Sequence, residues 1–102
     1  MTVISLPADL DGDKAAALLP QLRRQIEGAA GGPCTLDASG VQRFDSATLA
    51  LLLECRRAAQ ARAVSFAVQH LPAGLESMAH VYGVDGLLGL PPAAVPAENA
   101  WA

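Results

Sequence analysis

RFDSATLALLLECRR, residues Arg43–Arg57, is the stretch on which the fold turns. A polar turn, Asp45-Ser46, runs directly into an apolar segment reaching about Ala61. The segment opens with a hydroxyl of the kind that helix N-termini prefer. Upstream, Cys34–Ala38 alternates with Cys34, Leu36 and Ala38 on one side, which is the period of a strand. Downstream, Val64–His70 places Val64, Phe66 and Val68 on one face and reads as a further strand. Strand, helix and strand at this spacing form the crossover that parallel strands require.

The pattern repeats toward both ends. Thr2–Leu6 mixes β-branched and apolar residues and is closed by Pro7, so it reads as a first strand suited to a sheet edge. Ala8–Leu10 adds a second brief strand, and Asp11-Gly12-Asp13 supplies a turn and a cap for a helix over Lys14–Glu27. In that helix Ala15, Leu18, Leu19, Leu22 and Ile26 form one apolar stripe. Pro20 lies inside it and predicts a bend, or a division into two shorter helices. Gly28–Pro33 is a loop by composition. Pro72 suits the first turn of a third helix, in which Leu75, Met78, Ala79 and Tyr82 recur at helical spacing, with Gly83 as its C-terminal cap. Val84–Leu90 predicts a short final turn. The expected fold is α/β, a small mixed and mostly parallel β-sheet packed by α-helices. One domain over residues 1–90 is followed by a flexible C-terminal tail over 91–102 that carries Trp101.

A chain of 102 residues has room for one core, and with 52% hydrophobic but only 4% aromatic residues that core must be built from Leu, Val and Ala. Ten acidic against seven basic residues give a net charge of −3, the wrong sign for a nucleic-acid footprint. Cys34 and Cys55 lack the spacing of a zinc site or a disulfide scaffold and read as small buried residues. The start, MTVISLPADL, lacks a basic n-region, and no run of eighteen apolar residues occurs, so a cytoplasmic protein is expected.

On a helical wheel the apolar residues of helix two sweep roughly 240°, against about 100° for a helix lying on a sheet. The excess, with Leu49 and Leu53 at its edge, predicts a surface covered either by another protein or by helices one and three. Ser46 has three readings. It is a helix cap, a phosphorylation switch that adds roughly −2 charge beside Asp45, or a nucleophile. For the last, neither a base in reach nor a GxSxG frame is visible. His70 and His80 read as boundary residues. GAAGG lacks the Lys-Ser/Thr of a phosphate-binding loop, so no catalytic residue, metal or cofactor is expected.

CTLDASGV, RFDSATLALLLECRRA, VSFAVQHLP and GLESMAHVYGVDGLL together resemble the STAS domain, the family of sulfate-transporter and anti-sigma-factor-antagonist domains. The resemblance spans nearly Val3–Leu90 and is most specific from Leu36-Asp37 through Asp45-Ser46 to Leu49. LALLL after the turn, the AHVYGVDGLL ending and Leu18-Leu19-Pro20 are similar to the MlaB-like branch of that family, the STAS subunits of Mla phospholipid ABC transporters. The resemblance implies a non-enzymatic subunit that binds the transporter's ATPase subunit and supports lipid asymmetry of the outer membrane. It would lie peripheral to the inner membrane through that partner. The partner-binding residues it implies are Arg43, Asp45, Ser46, Thr48, Leu49, Ala50, Leu53 and Arg57. The alternative implied is an anti-sigma factor antagonist, with an anti-sigma factor kinase as partner and Ser46 as the phosphorylated residue. A homodimer in isolation is a further expectation. Antagonists usually read DSSGL, whereas Ala47 and Thr48 stand here in place of the second serine and the glycine.

Overall fold

A computed structural model describes residues 2–29 and 32–89. The elements follow in the order β1 (Thr2–Ser5), α1 (Gly12–Glu27), β2 (Cys34–Asp37), α2 (Ser46–Ala61), β3 (Phe66–Gln69) and α3 (Ala73–Val81). The three strands make one parallel sheet in the order β1-β2-β3. The α/β class is as the sequence implies. Among the described residues the three strands run parallel, and Ala8–Leu10 contributes a single bridge, between Asp9 and Arg43.

Strand order equals chain order, and right-handed crossovers then place α1 and α2 on the same face of the sheet. The burial pattern of the outer strands agrees. Ile4 and Val68 are buried, whereas Val3, Ser5, Ala67 and Gln69 are exposed. Under the helices Leu10, Leu22, Ile26, Leu36, Leu52 and Leu75 are fully enclosed, each contributing about 1.5–3 kcal/mol by leaving water. The core is aliphatic, as a chain nearly free of aromatics requires.

α1 is one helix through Pro20, not two. Pro20 removes one intrahelical N–H, but its ring lies on the exposed side, while Ala15, Leu22 and Ile26 hold the other side in the core. Packing therefore overrides the local break. Leu18 and Leu19 are half-buried against the same core. Gly83 adopts a left-handed φ of 72° just beyond α3, where Gly83 N–H donates to His80 O (3.1 Å) and Val84 N–H to Ala79 O (2.9 Å). That is the glycine stop the sequence predicts. The expectation for residues 91–102 and Trp101 lies outside the described residues.

Candidate functional site at the capped turn

The start of α2 is held by a capping box, and its cap is Asp45, not Ser46. Ala47 N–H donates to Asp45 Oδ1 at 2.9 Å, and Asp45 N–H donates to Thr48 Oγ1 at 3.1 Å. The Thr48 hydroxyl in turn donates to the Leu10 carbonyl at 2.7 Å. The second carboxylate oxygen of Asp45 accepts Gly12 N–H at 3.0 Å, so one side chain closes the N-termini of both α1 and α2. Gly12 has φ 50°, a left-handed conformation that costs a residue with a side chain about 1 kcal/mol or more.

Backbone bonds knit the same two segments together. Gln42 N–H (2.7 Å) and Arg43 N–H (2.9 Å) donate to Ala8 O, and Leu10 N–H donates to Arg43 O (2.9 Å). On the other side of the turn the Phe44 ring lies over Gly74, where a Cβ would meet Phe44 Cζ at 2.9 Å. The turn is thus fixed against α1 and α3, and the Ser46 side chain is exposed at the first helical position of α2. Its hydroxyl makes no side-chain hydrogen bond among the described residues.

The eight residues expected to contact a partner divide accordingly. Arg43, Ser46, Ala50 and Arg57 are exposed. Asp45 is half-buried with both oxygens engaged. Leu53 is half-buried against the core. Thr48 and Leu49, at 0% and 3% exposure, belong to the interior and are withdrawn from the contact set. Thr48 is spent on the cap, and Leu49 is buried at the flank of the helix. Ser46, Ala50, Leu53, Arg57 and Gln60 fall at alternating steps of four and three and mark the outward stripe of α2.

The open apolar surface lies toward α1. An apolar groove of about 190 Å³ runs between the helices, lined by Ala16, Leu19, Ala47, Ala50 and Leu51 and ending at Glu54. Glu54 pairs with Arg23 of α1 (3.6 Å) and with Arg57 (3.5 Å). Ala16 and Leu19 are absent from the sequence-based set. The signal for them was the alanine run Ala15–Ala17 opposite Ala47 and Ala50, two helices meeting through small residues.

Around the Asp45 cap, acidic and basic groups are interleaved. Lys14 pairs with Asp9 and holds that carboxyl below the usual range. Asp11 is pushed up, first through its contact with Asp9 and then through partial desolvation. The histidines are engaged elsewhere: His70 Nδ1 lies 3.2 Å from Asp37 Oδ1, and His80 sits between Asp85 (3.1 Å) and Glu76 (3.8 Å). The cysteines are enclosed, and burial pushes the Cys55 thiol up to about 12 and raises that of Cys34.

The three helices and three-stranded parallel sheet make a small α/β fold of the STAS kind, with an exposed serine at its capped turn. The family model described as "Mlab, STAS domain" matches residues 1–90, and the chain belongs to that family. No curated protein matches it. Domains of this family are in general non-enzymatic binding domains, and an accessory or regulatory role of the STAS type follows from membership. Among the described residues no helix is long and apolar enough to cross a membrane.

Proposed function

We propose that this chain is a non-enzymatic accessory subunit that binds the ATPase subunit of a Mla-type phospholipid ABC transporter. In that role it supports assembly and activity of a complex that maintains outer-membrane lipid asymmetry, and it reaches the inner membrane through that partner. The observation that carries the reading is the family match over residues 1–90. What supports the location is the Ser46–Ala50–Leu53–Arg57 stripe with the α1/α2 groove beside it, a mostly apolar surface next to a turn whose Asp45 carboxylate and Thr48 hydroxyl are engaged internally. Affinity at such sites comes from apolar contact, and the polar rim fixes orientation.

The test is co-expression with the ATPase subunit. A stable complex is expected with the native chain, and its loss with Ala50→Arg or Ser46→Glu, both exposed positions that leave the fold intact by circular dichroism. A complex formed only with an anti-sigma factor kinase would overturn this reading in favour of an antagonist. The exposed Ser46 hydroxyl is the observation favouring that second reading, since a kinase needs an accessible hydroxyl. Phosphorylation there would add about −2 charge beside Asp45 and desolvate poorly in an apolar interface. A single phosphate on the native chain, absent from Ser46→Ala, after incubation with the kinase is its signature.

A further inference from the structure

Among the described residues the sheet ends at β1, and parallel pairing occupies only every second residue of an edge strand. Thr2 N–H donates to Pro33 O and Leu6 N–H to Asp37 O, each at 2.9 Å. The N–H and C=O groups of Val3 and Ser5 therefore point away from β2. Edge strands of monomeric proteins are normally blunted by lysine, proline, an inward charge or a bulge. Thr2-Val3-Ile4-Ser5 is short and is followed by Pro7, but no lysine, proline or inward charge lies within it, and Val3 is 57% exposed.

Beside this edge runs a groove of about 490 Å³ between β1 and α1, lined on the helix side by Leu18, Gln21, Leu22 and Gln25. None of the described residues lining it is charged, although the chain is 17% charged and carries a net charge of −3. Two copies brought together along this strip would oppose no charged side chain of the described residues.

We propose that β1 pairs with β1 of a second copy, antiparallel across a two-fold axis, joining two three-stranded sheets into one of six strands. With the axis at Ile4, Val3 stands opposite Ser5 of the second copy and Ser5 opposite its Val3. Hydrogen-bonded antiparallel pairs exchange both bonds, so every outward main-chain group of the two strands is used. An isologous contact requires a self-complementary strip, and an uncharged one four residues long meets that requirement. On the helix side the Ile4 side chains of the two copies meet over Leu18 and Leu22. On the other side each exposed Val3 gains a cross-strand neighbour.

Mass measurement by light scattering over a wide concentration series tests this on the full chain. The mass is expected to rise toward twice the 10.5 kDa of one copy and to persist in high salt. Ser5→Pro removes an outward N–H while leaving the β1–β2 bonds in place, and Val3→Lys puts a charge on the edge. Each is expected to return the mass to that of one copy with an unchanged far-UV spectrum. Should Ser5→Pro fail to fold, Val3→Lys decides, because the Val3 side chain lies outside the core. A native chain that stays monomeric at every concentration overturns the proposal, as does a dimer indifferent to Val3→Lys.

Discussion

The Thr48 hydroxyl is fully buried, accepts from Asp45 N–H and donates to Leu10 O. Thr48→Val keeps the shape and strips both groups of their partner, at a cost of about 1–3 kcal/mol. Thermal unfolding should register this as a drop of several degrees, and an unchanged midpoint would show the bonds to be idle. Ser46→Ala, by contrast, is expected to stay within about 0.5 kcal/mol, as exposed substitutions usually do. The sequence reading gave the cap to Ser46 because aspartate and serine both cap well and they are adjacent. What separates them is the threonine three residues after Asp45, which completes the box only if Asp45 is outside the helix. Asp37 makes a second residue-scale prediction. Its carboxyl is held below the usual range, first by the backbone N–H and side chain of Ser39 and then by His70. A depressed folded-state value contributes stability above the unfolded value, about 3.9, and loses it as pH falls through the folded one. Asp37→Asn is therefore expected to flatten the acid limb of a stability–pH curve, and an identical limb would remove Asp37 from the account.

At the scale of elements, the crossover pattern was legible because strand and helix periods differ and each segment is pure in one of them. The free face of α2 was not legible. A wheel shows that an apolar arc is too wide for one sheet, but not which side a neighbouring helix takes. α1 packs along α2 through alanines, so the open surface falls at Ala47 and Ala50, not at Leu49. Pro20 does not divide α1 for a related reason: its local cost is real, yet three core residues on the opposite side keep the helix continuous through it. Because Pro20 is exposed, Pro20→Ala should restore an intrahelical bond and stabilise the domain by about 1–3 kcal/mol. Urea titration checks this, and a lower midpoint would mean that the ring itself carries a packing role.

For the whole molecule, the two thiols report on cooperativity. Cys34 lies on the central strand and Cys55 on the helix that covers it, both at 1% exposure or less. Raised pKa values keep them protonated at neutral pH, and a thiol is far less reactive than a thiolate. Neither is expected to react with a thiol reagent in the native state, and both should become reactive together with the denaturant transition seen by circular dichroism. Labelling of either cysteine well before that transition would reveal a sub-global opening of the β2–α2 layer.

The sheet order has one more consequence, for the growing chain on a ribosome. Each strand of this sheet lies beside the strand made just before it, so β1, α1 and β2 can close as a unit before α2 has been synthesised. The α2–β3 segment then adds to an existing edge, and neither step has to insert a late segment between two earlier ones. Synthesis at roughly 5–20 residues per second leaves time for each addition. The domain is laid down in the order in which it is read.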